Sequence, residues 1–587
     1  MSPRYCCLLV SLTVLAGCSE PGSSGPPAPS DPLPALQAVP DAVSGGRIVD
    51  DSGREVLLRG VNVNAFVEYW QYDEDLFTTY PFTEADADAI AAIGWNSVRL
   101  LVSWSRVEPV AGEYDDAYLD QVAGAVAMLR ERGIYTLLDL HQDAWGPSLA
   151  APPDEVCEGG SVPAGGWDGA PGWATFDGGE PRCESGGQRE FVPAVRAAWR
   201  AFLDDAEGPG GVGIQTRYVR MFGHLVSRFA SDDSVAGYDV MNEPNVFEPF
   251  DQPTLAAFYQ NAVTAMREAE EAVGAPRRLF LFEPSAGWRL GFAAPPPFEH
   301  DDQVVYSPHI YQEGLPGGSL EEGFARALDE AAQLYQGAPV ITGEWGGDPG
   351  RAASSDDDYF QRHLAEQDRY RFGANLWTWR EACGDPHKYA PARNGIVPEV
   401  WGLFEVDCAT NTVTGPRVAL REVLRKLTVR FAPGSLSTVR WATDGSLLEA
   451  TGDDAPARNR LELFVPAADL SSVTLEADGL TGIDSVPWFG GTLLYADASG
   501  GSWSVTIAVP LKTSSSDSAV PSVRARTRRA ARTALPWLQT PAPRDRDRVR
   551  SGAREARRSV LSAANLRSIR SLATGRAPET DRANRHR

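Results

Sequence analysis

The sequence predicts a (β/α)8 barrel over residues 46–427 and a small antiparallel β-sandwich over 428–510. Three observations carry this. Between Gly46 and Leu427, eight short apolar runs alternate with amphipathic stretches, the order expected of parallel strands joined by helices. After Leu427 the pattern changes to short alternating runs separated by turn residues. Two of the barrel runs, Tyr238–Asn245 and Ile341–Gly347, end on a glutamate and break at once into Pro or Gly. That is how a buried strand delivers a carboxylate to the mouth of a barrel.

The expected strands are Val56–Asn62, Ser97–Val102, Tyr135–Leu140, Gly237–Met241, Leu279–Phe282, Val304–Ser307, Val340–Thr342 and Gly373–Trp377. Helical patterns between them include Glu84–Ile93, Ala117–Arg132, Thr216–Phe229, Leu255–Ala272, Leu320–Tyr335 and Tyr359–Tyr370, with Thr83 and Asp86 placed as an N-cap and its N3 partner. The insertion after the third strand, Gln142–Arg217, is rich in Gly, Pro and Trp, and loops of that length are usually functional. In the sandwich the runs are Leu436–Arg440, Ser446–Ala450, Arg460–Val465, Ser472–Glu476, Thr492–Ala496 and Ser502–Val509.

The 587 residues carry a net charge of −25 that is unevenly spread. Residues 511–587 hold 19 basic and 6 acidic residues; the rest of the chain holds 35 basic and 73 acidic. An acidic body argues against nucleic acid as a partner. The Arg-rich tail has too little apolar surface to fold and is expected to be disordered; anionic lipid is one surface it suits.

Residues 1–18 read as an export leader. Arg4 supplies positive charge, Cys6–Ala16 is mostly apolar, and Leu15-Ala16-Gly17-Cys18 resembles a bacterial lipobox, in which Cys18 would be lipidated. An ordinary secretory signal is the alternative. Residues 19–45 are expected to be a flexible tether. Export leaves Cys157, Cys183, Cys383 and Cys408 available for disulfides. Each sequence-adjacent pair brackets a Gly/Pro-rich loop, so Cys157–Cys183 and Cys383–Cys408 are the expected bridges. Zinc is the other use of four cysteines, without CxxC or paired-His spacing to favour it.

In a barrel the C-terminal strand ends form the active face. Here they carry Asn62 and Asn64, Arg99, His141 and Asp143, Asn242 and Glu243, Glu283, His309 and Tyr311, Glu344, and Trp377 and Trp379. Glu344 and Glu243 form a carboxylate pair suited to cutting a glycosidic bond, Glu344 as nucleophile and Glu243 as acid and then base. Arg99 would keep Glu344 ionised, Asn242 would bond the sugar 2-hydroxyl, and His141, His309 and Tyr311 would orient substrate and carboxylates. No cofactor motif is present, and Asp385 with His387 is too short a motif for a metal cage.

Val98-Arg99-Leu100, Asp139-Leu140-His141, Asn242-Glu243-Pro244, His309-Ile310-Tyr311 and Gly343-Glu344-Trp345 fall in the order found in glycoside hydrolase family 5, which the chain strongly resembles over residues 46–427. The resemblance implies a retaining glycosidase with its acid/base on strand four and its nucleophile on strand seven. Leu138–Asp143, Pro171–Thr175 and Trp379–His387 are similar to the endoglycoceramidase branch, whose members release an intact oligosaccharide from ceramide. That branch also has a sandwich after its barrel. By this resemblance Asp143 and Trp173 would contact the first sugar and Trp379 would stack on it; Trp377, on the same side of an alternating strand, is the other candidate for that face. The expected partners are a glycolipid or oligosaccharide substrate and, through the leader, a membrane surface. Other family 5 β-glycosidases, acting on glucans, steryl glucosides or other glycolipids, stay open as a second reading, and a surface glycan-binding lipoprotein without turnover as a third.

Overall fold

The computed structural model describes residues 32–247, 252–354, 356–388, 401–442 and 445–509. The leader, Cys18, tether residues 19–31 and the 511–587 tail lie outside them.

Eight parallel strands form the barrel: β1 (Arg59–Phe66), β2 (Ser97–Ser103), β3 (Tyr135–His141), β4 (Val235–Asp239), β5 (Leu279–Phe282), β6 (Val304–Tyr306), β7 (Ile341–Trp345) and β8 (Gly373–Leu376). Their order in the sheet is β6-β5-β4-β3-β2-β1-β8-β7, and a parallel bridge between Tyr306 and Val340 joins β6 to β7 and closes the ring. All residues of β2 and β3 are buried, as expected of strands covered on both faces. The helices between them follow the sequence periodicity. Glu84–Ile93 starts at a capping box in which Thr83 and Asp86 satisfy each other's backbone N–H, and it stops at Gly94, φ 94°. Gly94 is needed twice over, because a Cβ there would also run into the Phe464 ring of the sandwich.

The long insertion contains a helix, Pro193–Leu203, which the Gly/Pro content around it hides in the sequence. It buries Trp199, Phe202 and Leu203. Disulfides Cys157–Cys183 and Cys383–Cys408 are both present.

The sandwich pairs a four-stranded sheet, Ser435–Trp441, Leu447–Ala455, Gly501–Ala508 and Thr474–Asp478, with a seven-stranded one. The second sheet corrects the expected tether. Leu36–Val39, Arg47–Asp50 and Glu55–Val56 form three of its strands, ahead of the barrel in the chain. The signal was short: only Leu36 and Ala38 alternate with Gln37, between prolines. Leu36, Ala38, Ile48, Val56 and Phe431 pack against Leu137, Leu279, Leu281, Val305 and Ile341 of the strands. The hairpin is pinned to the barrel by Gln303, whose side-chain carbonyl accepts from Ala38 N–H at 2.9 Å and whose amide donates to Ala38 C=O at 3.1 Å. The N-terminal strands therefore seal the end of the barrel opposite the active face.

Candidate active site

Arg99 is the centre of the site. It sits mid-strand on β2 with no exposed surface, and its guanidinium meets four carboxylates: Asp139 and Asp239 at 3.0 Å, Glu283 at 2.8 Å and Glu344 at 3.1 Å. It also donates to the side-chain oxygens of Asn62 and Asn242, both at 3.0 Å. The surrounding carboxylates outweigh the penalty of burial and hold its positive charge firmly. Each of these partners lies on a barrel strand or within three residues of its end, so a single cation ties β1, β2, β3, β4, β5 and β7 into one register.

Glu344 lies on β7 and is 5% exposed. One oxygen accepts from Arg99; the other accepts from the Tyr311 hydroxyl at 2.8 Å. Burial and the charge of Glu344 push the Tyr311 phenol up, which keeps it a donor. Glu243 follows β4 and accepts from His309 Nδ1 at 3.0 Å; the same nitrogen lies 3.5 Å from Glu344. His309 Nε2 forms an ion pair with Glu283 at 3.1 Å. Burial opposes a charge on His309, but Glu283 and Glu344 overcome it and hold the ring protonated. Polar atoms of Glu243, His309 and Glu344 all lie within 4.8 Å of one another.

Burial pushes the Glu344 carboxyl above the ordinary range, with His309 and Arg99 pulling against it. Burial acts on Glu243 in the same sense, but its hydrogen bond to His309 wins and leaves it below that range.

Asn242 bonds Arg99 with its carbonyl and the Gln142 backbone carbonyl with its amide at 3.0 Å. His141 gives Nδ1 to Asp139 at 2.7 Å and stacks on Trp377, centroids 5.4 Å apart and planes 14° apart. Asp143 sits beside it, bonded to Arg189 at 2.6 Å and to His387 at 3.0 Å. His387 is oriented in turn by Asp385 at 2.8 Å.

One expected sugar contact, Trp379, falls elsewhere. Trp379 turns away: its indole N–H donates to Asp86 on the Glu84–Ile93 helix at 3.1 Å, and its ring packs on Phe404. Strand pairing stops at Leu376, so strict alternation does not carry on to Trp379, and Trp377 is the residue that faces the site. Trp173 donates to the Glu108 carbonyl at 3.0 Å and packs edge-on to Trp104. Pairing of Asp143 with Asp168 brings Trp167 close as well, 5.1 Å from His387 with Arg189 over its face at 3.9 Å. Sequence reasoning also missed Arg189, which comes from a loop with no periodicity, and gave Glu283 too small a part. Its position at a strand end was the available signal.

A cavity of about 310 Å³ opens beside Asn245, two residues beyond Glu243, lined by Phe191, Trp199, Leu203 and Phe247 with Arg196 and Arg200. The Arg189–Phe191 turn joins the two regions, with Arg189 reaching Asp143 and Phe191 lining the cavity.

The family model for cellulase (glycosyl hydrolase family 5) matches residues 49–382. Endoglycoceramidase I of Rhodococcus hoagii (strain 103S) is 30% identical over 301 residues, 48% of this chain and 54% of that protein; the chain spans about half the length of this curated relative. A crystal structure of endogalactoceramidase is 36% identical at a TM-score of 0.71, covering 81% of this chain and all of that one. Endo-glycoceramidase II from Rhodococcus sp., solved as a lactosyl-enzyme intermediate, is 26% identical at a TM-score of 0.59, over 79% of this chain and 99% of that one. With a matched barrel and both strand-end glutamates in place, the chain belongs to glycosyl hydrolase family 5.

Proposed function

We propose that the protein is a retaining endo-β-glycosidase that cuts the bond between the reducing-end sugar and ceramide in glycosphingolipids. The observation that carries the mechanism is the closeness of Glu243 and Glu344, within 4.8 Å, the spacing of direct attack rather than of an interposed water. Glu344 attacks the anomeric carbon, the glycosidic bond breaks, and Glu243 gives its proton to the leaving oxygen. Glu243 then takes a proton from water, whose oxygen displaces Glu344 and releases the sugar with its configuration retained. A covalent lactosyl-enzyme in the Rhodococcus sp. relative supports this order. The proton must reach Glu243 for the first step. Glu344 must be ionised for the same step, and His309 and Arg99 both favour its charged form.

The similarity to endogalactoceramidase supports the ceramide aglycone. So does the aromatic-lined cavity beside Asn245, on the acid/base side where a leaving group departs. Incubation with a panel of glycosphingolipids, with products weighed by mass spectrometry, tests the reading. Intact oligosaccharide plus ceramide is expected; a monosaccharide from the non-reducing end would refute it, and cleavage confined to glucans or steryl glucosides would favour another family 5 activity. Glu344→Gln is expected to abolish turnover while sparing glycan binding. Export and lipidation at Cys18 belong to the same proposal: Cys18→Ser should lose acyl labelling in a bacterial host and leave the membrane fraction.

A further inference from the structure

Asp168 is a carboxylic acid that no side chain satisfies. It follows Trp167 on the long insertion, is fully buried, and neither of its oxygens has a hydrogen-bond partner among the described residues. His141 stands in a complementary state. Its Nδ1 is taken by Asp139, while Nε2 is buried and unpartnered, 3.9 Å from the nearer Asp143 oxygen. Polar atoms of His141, Asp143 and Asp168 lie within 4.8 Å of one another. Asp143 is already bonded to Arg189 and His387, so the unused capacity is on Asp168 and His141.

The separation is the informative quantity. A direct bond needs about 3 Å, and two such bonds meeting at one oxygen span up to about 5.6 Å. A hydroxyl oxygen set between the two accepts from His141 Nε2–H and donates to Asp168. The place is continuous with the reacting centre: His141 lies on Trp377, Trp377 packs with Tyr311, and Tyr311 holds Glu344. We propose that His141 and Asp168 together read one ring hydroxyl of the sugar seated on Glu344, with Asp168 as a specificity-determining residue. This rests on the glycosidase reading above.

The surroundings say in which form Asp168 works. His141 faces it from β3 and Asp143 from just beyond; Arg189 comes from the turn at 189–191, His387 from the loop after β8, and Tyr69 from the loop after β1. Burial, with Asp143, pushes its carboxyl up to about 8 against the pull of His141, His387 and Arg189. It is therefore a neutral acid at pH 7, with the donor and acceptor of a carboxamide, so Asn is its conservative replacement.

The test uses 2,4-dinitrophenyl β-lactoside and its analogues deoxygenated at position 2, 3 or 6 of the sugar bearing the leaving group. The wild type should cleave the parent and lose about tenfold or more in kcat/KM on one analogue. Asp168→Ala should lose as much on the parent and be indifferent to that same deoxygenation. Asp168→Asn should restore most of the loss and abolish the fall in kcat/KM that the wild type shows as pH rises through about 8. Equal deoxygenation penalties in Asp168→Ala and wild type would overturn the assignment. If Asp168→Ala does not fold, an alkaline limb unchanged in Asp168→Asn overturns it instead. A wild type that leaves the parent lactoside intact overturns the glycosidase reading, and this inference with it.

Discussion

Glu283 accepts the backbone N–H of Glu243 at 2.8 Å. The peptide it grips is an unusual one, since Glu243 has φ 36°, a left-handed conformation that costs a non-glycine residue about 1–3 kcal/mol. The other oxygen of Glu283 receives Arg99 and His309. One buried carboxylate thus fixes the backbone under one reactive glutamate and the two cations that serve both.

Replacing Glu283 by Gln keeps the shape and removes the charge. Glu283 reaches the substrate only through its neighbours, so kcat should fall about tenfold to 100-fold with little change in KM. Steady-state kinetics on an aryl glycoside, with circular dichroism to confirm folding, checks this. A change confined to KM would show that Glu283 meets the substrate itself.

The two glutamates should separate under azide rescue. Glu243→Ala, assayed with a leaving group that needs no proton, should form the glycosyl-enzyme and stall, and azide should release a β-glycosyl azide. Glu344→Ala with azide should give the α-azide by direct displacement. On an unactivated glycoside, Glu243→Ala should lose about 10²–10⁴-fold. Nuclear magnetic resonance of the azide products decides between these roles and their reverse.

Stability should decline from mildly acid to alkaline pH. The charge of Asp139 and its hydrogen bond overcome burial and lift the His141 imidazole up to about 9 from 6.5. A group raised on folding contributes stability that is complete below its unfolded value and is lost as pH climbs to the folded one, here between about 6.5 and 9. Thermal midpoints measured across pH 5–10 should fall through that window, and the fall should be shallower in His141→Asn. An unchanged slope would show that the ring is not charged in the folded protein.

The disulfides close loops with sequence separations of 26 and 25 residues, and removing either should cost about 3 kcal/mol. Their effects on catalysis should differ. Cys383 lies two residues before Asp385, which accepts the His387 N–H at 2.9 Å and orients its ring toward Asp143. Cys383→Ser with Cys408→Ser should therefore raise KM for the lactoside more than Cys157→Ser with Cys183→Ser. Equal KM values in the two variants would separate the His387 turn from sugar binding.

The parts of this site that were legible in the sequence lie on strands or within a few residues of a strand's C-terminal end. Arg99, His141, Glu243, His309, Tyr311 and Glu344 could be placed because each lies within or shortly after an apolar run whose direction in a barrel is fixed. The Glu84–Ile93 helix was legible to the residue, because capping chemistry marks its start and Gly94 its end. Legibility failed where the backbone leaves regular structure. Alternation past Leu376 suggested that Trp377 and Trp379 share a side, but no pairing enforces it there. In the Gly-rich insertion nothing distinguishes Trp167 from Trp173 until Asp143 pairs with Asp168. Arg189 and Asp168 acquire meaning only through partners far away in the chain.

The hairpin that begins at Leu36 sets how this enzyme can be cut and pulled. A truncation at Gly46, the barrel boundary suggested by the sequence, would uncork the barrel by removing Leu36 and Ala38 from beneath its strands. Tension applied upstream of residue 32 would enter through the edge of the accessory sheet, which would serve as a mechanical buffer. Glu243 and Glu344, at the far end of the same barrel, would be spared that load for as long as the hairpin held.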